Sequence, residues 1–185
     1  SALRPRGSYV VKSQGVASGP VSFIGQFDKQ TETINSGNRR GANMGILNVN
    51  HPDILDFIYA KTERGEITNF NISVGITDDF MRRVMSDEYY DLAFNGKRFT
   101  KEQLENINKN IEQGLAGAEV GQAPKPPSLS IEGDDVIDTY KGRVIGRVHY
   151  ENGEGYVQLS AKKVMDTIAE LAWRTADPGM IFLDT

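Results

Sequence analysis

Residues 69–76 constrain the fold more than any other stretch. Phe70, Ile72, Val74 and Ile76 alternate with Asn69, Asn71, Ser73 and Gly75, the period of two that belongs to a strand with one apolar and one polar face. If helices cover the apolar face, the amide and hydroxyl face must look into solvent or a polar cavity, because a buried polar group without a partner costs about 1–3 kcal/mol. Such a strand suits the lumen of a barrel used for binding. Thr77 then caps a helix with Asp78 and Asp79 in its first turn and Phe80, Met81, Val84 and Met85 as its apolar stripe.

The text on either side repeats the alternation of helix and strand. Ser18, Gly19 and Pro20 form a helix start, and Val21, Ile24, Phe27 and Ile34 follow at helical spacing, which predicts a helix to about Asn35. A polar loop over residues 36–43 leads into the apolar run 44–49, a strand. His51-Pro52-Asp53 opens a second helix with Ile54, Phe57 and Ile58 on one face and Lys61 in the last turn. Near the end, Ser160 caps a helix whose stripe is Val164, Met165, Ile168, Leu171 and Ala172, with Trp173 on its flank as a core residue. Asp177-Pro178-Gly179 then turns into a final strand. The pattern is that of an α/β protein without internal repeats.

Residues 87–159 differ in character. Thr100-Lys101-Glu102-Gln103 is a capping box opening a charged helix to about Gln113. Residues 114–128 form a linker rich in Gly, Ala and Pro, and residues 144–159 read as a hairpin turning at 151–155. The expectation is one domain over residues 1–185, with 87–159 as a surface insertion made of helix, linker and hairpin.

Composition narrows the chemistry. The chain has 185 residues, and 21 Lys and Arg against 25 Asp and Glu give a net charge of −4, which argues against a protein held to nucleic acid by bulk charge. There is no cysteine, so disulfides, thiolate metal sites and every thiol or thiyl step are excluded within this chain. No apolar run approaches the roughly 20 residues of a membrane span, and the first fifteen residues lack the apolar core of a signal peptide. A cytoplasmic protein without membrane contact is expected. Residues 3–7 read like the middle of a domain and residues 180–184 like a strand with nothing after it, so a fragment of a longer protein is expected.

Arg39 and Arg40, flanked by Gly37 and Gly41, form the sharpest local signal. Guanidinium groups fork to phosphate oxygens and glycine lets backbone amides approach an anion; the alternative is a solvated turn that ends the preceding helix. Arg4, Arg6 and Lys12 form a second cationic cluster, read either as a polyphosphate contact or as an exposed loop. His51 and His149 lack metal-ligand spacing, so no metal site is expected, and His51 before Pro52 reads as a helix-start residue. Neither a Walker pattern nor GxGxxG after a strand occurs.

RRGANMGILNVNHPDI at 39–54 resembles the signature stretch of the large catalytic chain of ribonucleotide reductases, specifically the adenosylcobalamin-dependent class. LRPRG at 3–7, GVASGPVSFIGQFD at 15–28, NFNISVGITDDFM at 69–81 and WRTADPGMIFLD at 173–184 are similar to that family's successive segments. Residues 89–150 are individual to this chain. The resemblance implies the amino-proximal part of a ten-stranded α/β barrel in which a cysteine thiyl radical attacks a ribonucleotide and two further cysteines supply electrons. Those cysteines are absent, so the isolated chain is expected to be inactive.

What the resemblance leaves to this chain is recognition. It assigns Arg4, Asn35, Ser36, Gly37 and Asn38 to a deoxynucleoside triphosphate effector, and Ser18, Gly19, Arg39, Gly41, Ala42 and Asn71 to the ribonucleotide substrate. Asn35 stands where glutamine is usual and Ser36 where glycine is usual. Adenosylcobalamin, contacted mostly outside this chain, a thiol reductant such as thioredoxin and a homodimeric partner are implied for the whole protein. The alternatives are an iron-dependent reductase large chain and a non-catalytic regulatory nucleotide-binding protein derived from the same barrel.

Overall fold

The computed structural model of the protein describes residues 3–33, 41–62, 67–114 and 125–184. In chain order its elements are β1 (Tyr9–Val10), β2 (Gly15–Val16), α1 (Gly19–Thr33), β3 (Asn43–Asn48), α2 (Ile54–Tyr59), β4 (Phe70–Ile76), α3 (Asp78–Met85), β5 (Tyr89–Asp91), β6 (Ala93–Phe94), β7 (Lys97–Arg98), α4 (Lys101–Glu112), β8 (Leu129–Glu132), β9 (Asp135–Asp138), β10 (Arg143–Glu151), β11 (Glu154–Ser160), α5 (Ala161–Thr175) and β12 (Gly179–Phe182).

The alternating strand is the middle of a parallel sheet ordered β12-β4-β3. Phe70, Ile72, Val74 and Ile76 are all buried, and Ile24 of α1 lies within 3.3 Å of where a Cβ on Gly45 would stand, so helices do cover this face. The register sets Met44 beside Asn71, Ile46 and Gly179 beside Ser73, and Asn48 and Ile181 beside Gly75. On this second face Met44, Ile46 and Asn71 are exposed, while Ser73 is buried against Gly179. Among the described residues the sheet is three strands wide and open, so a ten-stranded closure is not formed by these strands alone.

A second sheet is antiparallel and ordered β5-β11-β10-β9-β8. Its central hairpin turns on Asn152 and Gly153, both at positive φ, between the paired Glu151 and Glu154. Two residues with φ above zero match the right-handed twist of the strands they join, which makes the turn tighter than the five residues expected. The register of β10 on β9 shifts between Val144 and Gly146. At Gly146 a Cβ would come within 2.1 Å of the Gln158 carbonyl oxygen, so glycine is required there. Helix α4 begins as its capping box predicts, with Thr100 Oγ1 accepting from the Gln103 amide and Gln103 Oε1 from the Thr100 amide. Leu92, Leu104, Leu129, Val136, Ile145 and Leu159 share one hydrophobic cluster with Ile54, Ile72 and Phe80, so residues 87–159 help to build the core. The β6–β7 and β8–β9 pairs were not foreseen from the sequence.

Two expectations are corrected. Trp173 is 87% exposed: the buried stripe of α5 runs through Val164, Ile168 and Leu171, and two residues beyond Leu171 the helix has rotated about 200°. Helix α2 stops at Tyr59 with Ala60 as its cap, which leaves Lys61 beyond the last turn. There Lys61 Nζ donates to the Phe70 carbonyl and pairs with Asp177 Oδ2 at 2.6 Å, while Asp177 Oδ1 accepts from the Ile72 amide. The Asp177-Pro178 turn, whose peptide bond is cis, is thereby fastened to the start of β4. Among the described residues no helix is long and apolar enough to cross a membrane.

Candidate functional site

The loop over residues 3–8 is fixed by its backbone. His51 Nε2 donates to the Leu3 carbonyl at 3.1 Å while its Nδ1 accepts from the Asp53 amide at 3.0 Å, an arrangement that assigns the proton to Nε2. Burial lowers the pKa of His51, opposed by the bond to Leu3. Asp53 Oδ2 accepts from the Arg6 amide at 2.8 Å, and the Gly7 amide donates to the Ala17 carbonyl at 2.8 Å. From the other side Asn110 Nδ2 of α4 donates to the Gly7 carbonyl at 2.8 Å. Gly7 has φ +83, and a Cβ there would stand 2.9 Å from the Ile107 carbonyl oxygen of α4. Only glycine combines that conformation with that approach.

Arg4 and Arg6, read together as a cationic cluster, point to different ends. Arg4 is exposed. Arg6 is buried, and its guanidinium donates to the carbonyls of Pro126 and Lys125, so it is a structural clasp. Gly19 at the head of α1 has φ +80, and a Cβ there would meet Arg6 Cβ at 2.7 Å and Asp53 Oδ2 at 2.8 Å. Ser18 beside it is exposed and its carbonyl accepts from Ser22 Oγ. The structure therefore brings Ser18 and Gly19 against the loop that carries Arg4.

The other candidates lie at the far end of α1, about 20 Å away for a helix of this length. A Cβ on Gly41 would stand 2.4 Å from Thr31 Cγ2, and Thr31 Oγ1 also accepts from Asn43 Nδ2, so the close approach that requires glycine here is to α1. Ala42 is exposed, and Asn71, also exposed, pairs with Met44 two residues on. Asn35, Ser36, Gly37, Asn38, Arg39 and Arg40 lie outside the described residues.

Sequence reasoning missed the carboxylate pair behind the loop. Asp53 is buried and its pKa is raised, by burial first and by Asp56 second. Asp56 is half-buried, raised by burial and held down by Arg6; Tyr140 Oη donates to its Oδ1 at 2.9 Å. These groups line a cavity of about 20 Å³ with Ser128 and Asn108, room for roughly one water. A cavity of about 200 Å³ is lined by Asn48, Asn50, His51 and residues 93–96. Among the described residues no group of three or more His, Asp or Glu is placed to hold a metal.

Arg4 is thus an exposed cation on a loop that is tied down by its backbone and packed against the start of α1, a chemistry suited to an anion. The chain belongs to the ribonucleotide reductase barrel-domain family, whose model it matches over residues 1–185. It is 38% identical, over its full length, to 17% of a vitamin B12-dependent ribonucleoside-diphosphate reductase of Thermoplasma acidophilum. It is 30% identical, again over its full length, to 19% of a protein of the same name from Mycobacterium tuberculosis. Against a vitamin B12-dependent ribonucleotide reductase of Streptomyces avermitilis the identity is 31%, over 95% of this chain and 15% of that protein. The chain thus spans less than a fifth of the length of these relatives.

Proposed function

We propose that this chain is part of the catalytic barrel of a cobalamin-dependent ribonucleotide reductase and that it supplies effector and substrate contacts. The observation that carries this reading is the family match from the first residue to the last, together with relatives named for that activity over the whole of this chain. Vitamin B12 in those names favours adenosylcobalamin over iron as the source of the radical. The ten-stranded closure, the ribonucleotide, the thiol reductant such as thioredoxin and a homodimer belong to the same proposal, as does a cytoplasmic location.

A cavity of about 200 Å³ is too small to enclose a corrin, so the contacts to that ring system are assigned mostly outside this chain. With no cysteine in the chain, no radical step is assigned to it. Its own work is binding. Arg4 would offer a guanidinium to effector phosphates from a loop held through backbone groups of Leu3, Arg6, Gly7 and Ser8, so little ordering cost is left for the bound state. Gly41 and Ala42 would meet the substrate at the other end of α1, with Asn71 on the adjacent face of the sheet; Arg39, outside the described residues, belongs to the same proposal. The regulatory alternative keeps the same contacts without turnover.

The test is ribonucleotide reduction by the full-length protein with a dithiol reductant, with adenosylcobalamin or with iron and oxygen, across a deoxynucleoside triphosphate series. Activity that needs the cobalamin is expected, and Arg4→Ala should raise the half-stimulating effector concentration about tenfold. Activity with iron and oxygen alone would overturn the cofactor assignment. An unchanged effector response in Arg4→Ala would overturn the role of that residue.

A further inference from the structure

The loop over residues 3–8 is held from two sides, and one side is made of α4 and residues 125–128. His51 and Asp53, at the start of α2, hold the Leu3 carbonyl and the Arg6 amide. Opposite them, Asn110 of α4 holds the Gly7 carbonyl, and the Arg6 guanidinium reaches the carbonyls of Lys125 and Pro126 ahead of β8. Tyr140, which follows β9, closes the ring through Asp56. The contacts at Asn110 and Lys125 cross more than a hundred positions of sequence and are part-buried, where water competes poorly, whereas the Tyr140 bond to Asp56 is exposed.

We infer that α4 and the 125–128 strap act as a positioning element for effector binding: they set the backbone of residues 5–7 and so the direction in which Arg4 presents its guanidinium. The inference rests on the reading of Arg4 as an effector contact. Asn110 is the positioning residue, because its amide links α4 to the loop backbone and can be removed without touching Arg6 or the carboxylates. Loosening that link lets the loop sample other arrangements, and an anion site populated for only part of the time binds more weakly by that fraction.

The experiment compares Asn110→Ala, Tyr140→Phe and Arg4→Ala in the full-length protein. It measures thermal melting, turnover without effector, and the half-stimulating concentration of dATP, dGTP and dTTP. Asn110→Ala should raise that concentration about fivefold for the stimulating nucleotide, with turnover in its absence unchanged; Tyr140→Phe should raise it about twofold. If Asn110→Ala fails to fold, Tyr140→Phe decides. A lower melting temperature with an unshifted half-stimulating concentration in both variants, while Arg4→Ala shifts it, would overturn the inference and leave the reading of Arg4 standing. No shift in any of the three, Arg4→Ala included, would overturn that reading and the inference with it.

Discussion

The parallel sheet β12-β4-β3 and the antiparallel sheet β5-β11-β10-β9-β8 bury similar side chains by opposite means. In the antiparallel sheet the β8–β9, β9–β10 and β10–β11 pairings join strands consecutive in the chain across local turns, such as Asn152-Gly153 and Gly133-Asp134, and only β5 reaches its partner β11 over a long connection. Its order is written in short-range chemistry. In the parallel sheet β4 finds β3 and β12 across long crossovers, and what fixes it is a small number of distant polar ties, Lys61 to Asp177 and Asp177 to the Ile72 amide. A sheet of the second kind depends on single buried groups, and a sheet of the first kind depends on backbone geometry.

Substitutions can break that contrast. Lys61→Met would leave Asp177, only 11% exposed at its side chain, as an unpaired carboxylate at the start of β12. A loss of about 3–5 kcal/mol is expected, read from urea denaturation, with the signals of the antiparallel sheet lost in the same transition. Separate transitions would show that the two sheets are less coupled than their common core implies. Gly146→Val tests the other side: its Cβ would collide with backbone at Gln158, and overpacking of this kind should cost about 2–3 kcal/mol. An unchanged urea midpoint would mean that the bulge in β10 tolerates a side chain and that geometry is not what holds this sheet.

The junction between the two sheets gives the smallest effect and the sharpest one. Asp53 has a raised pKa, to about 8, so the folded state keeps its proton while the unfolded chain releases it from about pH 4 upward. The folded state then binds more protons in that window, and stability falls as pH rises through it. His51 has the opposite sign, its lowered pKa costing stability as pH falls below about 6.5. Between pH 7 and 8 Asp53 is the contributing group of these two, so wild type should lose up to about 1.4 kcal/mol and Asp53→Asn less. Equal slopes in urea midpoints at pH 7 and 8 would exclude a neutral Asp53.

How far the molecule was legible follows the same division. The face of β4, the caps at Thr77 and Thr100 and the hairpin of residues 144–159 are periodic or local signals, and they can be read residue by residue. From its residue types the loop over residues 3–8 reads as a cationic cluster, because what separates Arg4 from Arg6 is Asp53, 47 positions away, and the Lys125 carbonyl, 119 away. Asp53 reads as a helix-start residue, and no spacing rule joins it or Asp56 to Tyr140. Strands β8 and β9 are four residues each and follow a proline pair, too short for alternation to show. Trp173 was misread because size suggests burial where helical phase decides it.

The pairing of Ser73 with Gly179 also orders events in time. A ribosome delivers β4 long before β12, and everything in residues 77–178 is the crossover between them. Were that crossover loose, bringing its ends together would cost about 2 kcal/mol more than closing a loop a tenth as long. The hairpins of the antiparallel sheet are completed first during synthesis, and once folded they turn a hundred-residue tether into a short rigid bridge. The stretch between β4 and β12 is therefore also what shortens the wait of the last strand.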